Sequence, residues 1–345
     1  MASLHPQPHE AAGARREIVR FATNFPFGAN DRARLATALG EDRLLIAHSY
    51  QELRELASAH PEVDVLCPTF DASDLAPLLP NLRWLALPSA GADHVLAQPW
   101  ATGADAPIIT TANGVHAAPI SEHVFSAILL WSRHWPAMLR LQQERSWPDS
   151  LAEKAPYAGR ELEGATLLVI GLGAIGRRIA QLGHAFGMRT LAIRRSVAPG
   201  ATDPDADVIA PMDSLDTLLP EADYIVIATP STAETRGLIS AKRLARVKPT
   251  AMLINIARGE IIEEPALIAA LTSGKLGAAA LDVTAREPLP PDDPLWSTPN
   301  LFISPHLSGL TPRYSQRLTD ILLDNIARYR EGRPMRNHVQ PARGY

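Results

Sequence analysis

The 345-residue sequence contains a single cysteine, Cys67. With no second thiol there is no intrachain disulfide, which excludes the small disulfide-stapled scaffolds and fits a reducing cytosol. Cys67 lies in the apolar run VDVLCP, where a buried, inert thiol is expected rather than a nucleophile. Long apolar runs are also missing, and none approaches the ~20 residues that a transmembrane helix needs. The N-terminal stretch MASLHPQPHEAAGARRE has no apolar segment of the secretory kind and reads as a loose tail. Neither sign of charge prevails. Lys and Arg number 33 against 37 Asp and Glu, a net charge of −4, so nothing electrostatic points to nucleic acid or an anionic membrane as partner. His134, His184 and His338 lack Cys or carboxylate partners at metal-ligand spacing, so no metal site is expected. These absences leave a cytoplasmic globular protein, and its length suggests two domains.

What the chain does have is alternation. EIVRFA, LLIAHS, VDVLC, LRWLALP and PIITT read as strands, with helices beginning near Asp31, Gln51, Asp71 and Ala92. Later, TLAIR, YIVIAT, AMLINIA, AAALDV and LFISP read as strands, with helices near 213–222, 240–247 and 263–273. Strand–helix alternation argues for parallel, doubly wound sheets, and it occurs twice in succession. Between the two stretches, Asn113-Gly114 signals a turn, Pro119 suits a first helical turn, and Val124 to Trp131 belongs to a long, mostly buried helix. A first domain boundary is expected near residue 116. The last segment, PRYSQRLTDILLDNIARYREG, places Leu318, Leu322, Ile326 and Tyr329 on one helical face, with Gly332 as its stop.

The second stretch opens on ATLLVIGLGAIGRRIAQLGHAFG. An apolar run from Thr166 to Ile170 leads into Gly171, Gly173 and Gly176, and then into Ile175, Ile179, Leu182 and Phe186 at helical spacing. G-x-G-x-x-G by itself is weak, since glycine also serves plain turns. Between a strand and a helix it is a dinucleotide fingerprint, in which open amides and the helix dipole hold a pyrophosphate.

Three further residues follow the ends of late strands: Arg258 after LINIA, Glu287 after the strand ending in Val283, and His306 after FISP. Ligands of open α/β sheets bind at that edge. The proline-rich segment 284–300 suits neither helix nor interior strand and is expected to be an ordered loop. Arg258 can hold a carboxylate through two parallel charge-assisted bonds, and His306 can give a proton to a carbonyl oxygen as hydride arrives at carbon. Glu287 beside the imidazole would orient it and favour its charged form. Each also has a plainer reading: a solvated arginine, a turn glutamate, a histidine satisfying a backbone carbonyl. It is their conjunction with the fingerprint that points to carbonyl reduction.

The motifs LPSAGADHV, GLGAIGR, ATPSTAETRGLI, LINIARGEIIEEPAL, AALDVTAREPLPPDDPLW and NLFISPHLSG resemble those of the D-isomer-specific 2-hydroxyacid dehydrogenases, over residues from about 80 to 332. The resemblance implies an α/β protein of two doubly wound parallel-sheet domains. One is a Rossmann dinucleotide-binding domain, residues 117–309. The other is a flavodoxin-like, discontinuous substrate domain, residues 1–116 and 310–345, with the cleft between the two. It implies Arg258, Glu287 and His306 as the catalytic set. Ala174 and Ile175 would lie against the pyrophosphate, Thr229 and Pro230 beside the adenosine, and Ile256, Ala257 and Gly309 along the cofactor. Asp282 would accept the nicotinamide amide, and the backbone of Ser89, Ala90 and Gly91 would grip the substrate carboxylate. The helix after residue 116 would serve a homodimer. The chain's end at Tyr345 argues against the longer, allosterically controlled phosphoglycerate dehydrogenases.

One position departs from the family. Its NAD users carry an acid at the end of the second strand of this domain, where the strand here reads TLAIRRS, with Arg194 in that place and Arg195 and Ser196 beside it. Two exposed arginines on a loop are the plain reading. Guanidinium groups that attract a 2′-phosphate are the functional one, and NADP is expected, with NAD as the alternative. The expected activity is reduction of a small 2-keto acid, such as glyoxylate or hydroxypyruvate, to a D-2-hydroxy acid. Two alternatives are a formate- or phosphite-type dehydrogenase and a non-catalytic, nucleotide-sensing corepressor-like protein. His116 and His123, at the start of the long helix, read as structural or cleft-lining.

Overall fold

A computed structural model of the chain describes residues 17–69, 74–75, 78–103, 105–198 and 200–340. The chain divides after Val115 and again after Leu310, so that His116–Leu310 is one unit and the flanking residues form the other. The expected loose tail and the expected helix near Asp71 lie at least partly outside the described residues.

The flanking unit begins with β1 (Phe21–Thr23), α1 (Ala29–Leu39), β2 (Leu44–Ile46), α2 (Tyr50–Ala59), β3 (Val65–Cys67), β4 (Trp84–Ala86), α3 (Asp93–Leu96) and β5 (Ile108–Thr110). A strand forms inside four of the five expected apolar runs, and β1 takes the last two residues of EIVRFA and runs on to Thr23. The strands pair in parallel in the order β2-β1-β3-β4-β5, which is the flavodoxin order. Cys67 ends β3 fully buried, and burial pushes its thiol up to about 12, which leaves it inert at neutral pH.

The central unit begins with α4 (Ala117–Ser132), α5 (Trp135–Gln143) and α6 (Leu151–Lys154). The long helix expected to hold Val124 to Trp131 forms as α4, and His134, at a left-handed φ of 53°, stands between it and α5. Pro136 has no N–H to offer the Ser132 carbonyl four residues back, and the Arg160 amide donates to it instead at 2.8 Å. There follow β6 (Thr166–Ile170), α7 (Ala174–Ala185), β7 (Arg189–Arg194), β8 (Val208–Pro211), α8 (Leu215–Leu218), β9 (Tyr224–Ile227), α9 (Ala241–Leu244), β10 (Met252–Asn255), α10 (Glu264–Thr272), β11 (Ala278–Leu281) and β12 (Leu301–Ile303). All seven strands are parallel, in the order β12-β11-β10-β9-β6-β7-β8. This is the Rossmann winding with one strand added beyond β11. β8 was not among the expected strands: it is a short edge strand ending in Pro211, and only Ala210 of its four residues is buried.

Buried strands explain the near-continuous apolar runs. β6, β9, β10 and β11 are buried at every position, as a sheet covered on both faces requires. Val124, Phe125 and Ile128 of α4 pack with Ile179 and Ala180 of α7 over one face. The chain then returns to the flanking unit as α11 (Tyr314–Arg330), whose Leu318, Leu322, Ile326 and Tyr329 are buried and which packs on α1.

Candidate active site

The fingerprint fits a dinucleotide by its backbone. Gly171 leaves β6 at a left-handed φ of 105°, and a Cβ on Gly176 would stand 1.9 Å from the Gly171 carbonyl oxygen. No side chain caps α7 at its N-cap Gly173, and the space where a Cβ of Gly173 would sit is open to at least 4 Å. An uncapped, uncrowded helix N-terminus beside a sharp glycine turn is what an incoming pyrophosphate needs. Ala174 and Ile175 form the first turn, half-buried. β6 sits between β7 and β9, so the winding reverses there, and ligands of such sheets bind at that crevice. Thr229 and Pro230 follow β9, with the Pro230 carbonyl accepting from Thr235 Oγ1 at 2.8 Å. Ile256 and Ala257 follow β10, both buried.

Arg194 is the last residue of β7, and Arg194, Arg195 and Ser196 are all exposed. The Arg194 guanidinium lies 3.8 Å from an Asp203 carboxylate oxygen. That carboxylate is already gripped on both oxygens by Arg177 of α7, each bond 2.7 Å long. The Arg177 hydrogen bonds hold the Asp203 carboxyl below its usual range, so it stays ionised.

Arg258, Glu287 and His306 follow β10, β11 and β12, three neighbouring strands whose C-terminal ends face the same way. The Arg258 turn is built by Asn255, fully buried, whose side chain donates to the Arg258 carbonyl at 2.8 Å and accepts from the Ala257 amide at 3.0 Å. The Arg258 side chain is exposed, with Nη1 donating to the Ala257 carbonyl at 2.7 Å. Gly259 next to it is pressed against the following loop, since a Cβ there would fall 1.9 Å from the Thr284 carbonyl carbon. Segment 284–300 is an ordered loop as expected, with one short 3-10 turn at Pro294–Ser297. Within it the Thr284 amide donates to Glu287 Oε1 at 3.1 Å, which leaves Oε2 for His306 Nδ1 at 2.8 Å. A carboxylate only accepts, so Nδ1 carries the hydrogen and Nε2 is turned to the other side. Both side chains are partly exposed, 54% for His306 and 39% for Glu287.

Asp282 lies 3% exposed between β11 and that loop. Its carboxylate accepts from Ser304 Oγ at 2.6 Å, from the Leu307 amide at 2.9 Å, from the Ser308 amide at 3.1 and 3.2 Å, and from the Ser308 hydroxyl. Burial alone would raise the Asp282 carboxyl, but these bonds outweigh it and hold the group below its usual range. Ser304 Oγ also meets His123 Nε2 at 3.1 Å, and the Gly309 carbonyl meets His116 Nδ1 at 3.0 Å. Sequence reasoning did not single out Asn255, Gly259, Ser304 or Ser308, and read His123 as structural or cleft-lining. The I-N-I-A-R-G and S-P-H-L-S strings held the first four in plain view.

In the flanking unit, Ser89, Ala90 and Gly91 form a loop after β4. The Ser89 carbonyl accepts from the Ala112 amide at 2.8 Å, and its hydroxyl donates to the Gly91 carbonyl at 2.7 Å. Neither bond uses the amides of the three residues. Tyr314 of α11 donates its hydroxyl proton to the Pro88 carbonyl at the loop's base.

Residues 125–308 match the family model described as D-isomer specific 2-hydroxyacid dehydrogenase, NAD binding domain. A D-3-phosphoglycerate dehydrogenase of Mycobacterium bovis is 35% identical over 272 residues, 77% of this chain and 49% of its own length. The chain thus spans about half the length of that relative. A glyoxylate reductase of Aeropyrum pernix is 33% identical over 275 residues, 77% of this chain and 78% of its own. Among solved structures, a D-isomer specific 2-hydroxyacid dehydrogenase from Xanthobacter autotrophicus Py2, in complex with NADPH and MES, superposes with a TM-score of 0.77 at 27% identity. That match covers 97% of this chain and all of the other.

The close approach at Gly259 makes a direct test of the geometry. Gly259→Ala forces backbone against backbone and should cost roughly 1–3 kcal/mol or more. Urea denaturation would read the loss as a lower midpoint at unchanged slope. A variant as stable as the parent would mean that the two loops are not pressed together.

Proposed function

Since the chain belongs to the D-isomer specific 2-hydroxyacid dehydrogenase family, we propose that it is an NADP-preferring reductase of small 2-keto acids of the glyoxylate or hydroxypyruvate kind, giving D-2-hydroxy acids. The observation that carries this reading is the His306–Glu287 pair, 2.8 Å apart at the C-terminal edge of the sheet that also bears the fingerprint. The nicotinamide, when bound, supplies the hydride. Arg258 takes the substrate carboxylate in its planar fork and fixes the carbonyl's orientation. The amides of Ser89, Ala90 and Gly91 are proposed as a second hold on that carboxylate. His306 gives the proton on Nε2 to the carbonyl oxygen, and Glu287, accepting from Nδ1, holds the ring in place. Gly171, Gly173, Ala174, Ile175 and Gly176 receive the pyrophosphate, Thr229 and Pro230 flank the adenosine, and Ile256, Ala257 and Gly309 line the rest. The exposed Trp135, Met138 and Leu139 of α5 support a homodimer built on the α4–α5 segment. No helix among the described residues is long and apolar enough to cross a membrane, and we take the setting to be the cytoplasm.

If His306 is the acid, His306→Ala lowers kcat for keto-acid reduction by ~10²–10⁴ while NADPH binding, read by fluorescence titration, stays as it was. A near-normal kcat in this variant would end the assignment. Arg258→Lys keeps the charge and loses the fork, so kcat/KM is expected to fall at least about tenfold. Equal activity of the Lys variant would leave Arg258 a bystander.

The cofactor preference rests on Arg194, Arg195 and Ser196. A hydrogen bond to a charged group contributes about 1.5–3 kcal/mol, less where solvent screens it. Each ~1.4 kcal/mol is a factor of ten, so one such bond to a 2′-phosphate suffices for a tenfold preference. Steady-state kinetics should give kcat/KM for NADPH at least about tenfold above that for NADH, a gap that narrows as salt rises. Arg194→Asp should reverse it. Equal use of the two cofactors by the parent protein would sink the proposal.

A further inference from the structure

No acid closes β7 in the sequence, but the fold brings one there from further along the chain. Asp203 lies in the segment between β7 and β8, and its side chain is only 5% exposed. Its Oδ2 stands 3.8 Å from Arg194 Nη1, beside the strand end where a NAD-binding protein of this winding keeps the acid for the ribose hydroxyls. That distance is a contact between charges and too long for a hydrogen bond. A carboxylate in this place works against a 2′-phosphate in two ways. It repels the phosphate, and it offers the Arg194 guanidinium a partner within the chain. Arg177 counters both. It stands in the first turn of α7, the helix that opens on the glycine turn, and its fork takes the two oxygens of Asp203 at 2.7 Å each. A guanidinium set on a carboxylate in this way makes the strong, directional form of the pair. The grip is braced. Arg177 Nη1 also donates to Asp205 Oδ2 at 2.9 Å, Gln181 Nε2 donates to Asp205 Oδ1 at 2.9 Å, and the Asp205 amide donates to Asp203 Oδ1 at 3.1 Å. The acid at the strand end is therefore tied to α7.

We propose that Arg177 is a specificity-determining residue for the cofactor: by holding both oxygens of Asp203 it keeps that acid from Arg194 and leaves the Arg194 guanidinium to a 2′-phosphate. The proposal rests on the reading that the protein prefers NADP through Arg194, and it adds a residue of another element that this preference requires. Without Arg177, Asp203 stays ionised, and Arg194 is the guanidinium 3.8 Å away. Closing that gap makes an ion pair inside the chain, which a phosphate must then break. NADH has no 2′-phosphate, so its binding does not depend on where the Arg194 charge is spent. The effect is thus confined to one cofactor. A general loosening of α7 would differ, because a helix that no longer seated the pyrophosphate would weaken both cofactors alike. Lys in place of Arg177 keeps the charge and loses the fork, so it holds one oxygen and leaves the other to Arg194.

The test is a set of dissociation constants for NADPH and NADH, read by fluorescence titration on the full chain, with native circular dichroism checked for each variant. Arg177→Gln is expected to raise the NADPH Kd roughly tenfold or more and to leave the NADH Kd within about threefold of the parent. Adding Asp203→Asn should bring the NADPH Kd back to within about threefold of the parent. Adding Asp205→Asn instead removes an equal charge beside residue 177, but not the one that meets Arg194, and NADPH should stay weak. Arg177→Lys should weaken NADPH about threefold or more, with Asp203→Asn again restoring it. Parent-like NADPH binding by Arg177→Gln, or equal weakening of both cofactors, overturns the proposal. Rescue by Asp205→Asn as full as that by Asp203→Asn overturns it as well, since Arg177 would then act only through its field. Arg194→Ala, titrated beside them, tests the reading beneath. If it weakens NADPH while the Arg177 variants are silent, the proposal alone falls. If it keeps the parent's NADPH Kd, or the parent binds NADH as tightly as NADPH, the reading falls and the proposal with it. Should Arg177→Gln not fold, Arg177→Lys with and without Asp203→Asn decides by the same criteria.

Discussion

Parallel pairing is the constraint on which the rest depends. A parallel strand cannot be joined to its neighbour by a tight turn, so each strand must hand the chain to a crossover before the next begins. In the central unit seven such strands leave their C-terminal ends on one edge. The edge collects the glycine turn after β6, the Thr229–Pro230 turn after β9, and the loops of Arg258, Glu287 and His306 after β10, β11 and β12. Of the strands beneath, β6, β9, β10 and β11 are buried at every position, so the loops stand on a closely packed floor. Because the winding reverses at β6 and β9, the helix N-terminus that can take a phosphate opens beside the same edge.

Short loops do not hold polar side chains in place by themselves, and here each carboxylate has a specific task in doing so. Taking one out of water costs several kcal/mol unless donors replace the solvent. Asp282 recovers that cost through two amides and two hydroxyls of one loop. Glu287 divides its oxygens between its own loop and His306. Asn255 does the same work for Arg258 with a neutral amide, donating from one atom and accepting on the other. Gly259 locks the loops of Arg258 and Glu287 together by leaving no room for anything larger than hydrogen.

Much of this was legible in the sequence because it is local. Apolar runs marked the strands, and the glycines marked the phosphate turn, since neither depends on distant residues. β8 escaped notice because an edge strand needs little burial, and VIAP offers only one buried residue. In the site, Arg258, Glu287 and His306 were visible by type and by place after a strand. The bonds that hold them were not, because Ser304 meets His123 across 181 positions and Asp282 across 22, and spacing says nothing about either.

The end of β7 shows the same limit in electrostatic form. The sequence offers arginines where an acid would bind a ribose, which reads as a positive strand end. Folding brings Asp203 to Arg194 and so adds a negative charge to the same spot. Arg177 then takes both oxygens of Asp203 and also reaches Asp205 at 2.9 Å. Two guanidinium groups, Arg177 and Arg194, thus meet Asp203, and Arg177 meets Asp205 as well. Arg194 is 44% exposed, so water and salt weaken its field. Because Arg177 holds both oxygens of Asp203 at 2.7 Å and Arg194 reaches only one at 3.8 Å, the closer tie of that carboxylate is to α7 and not to the strand end.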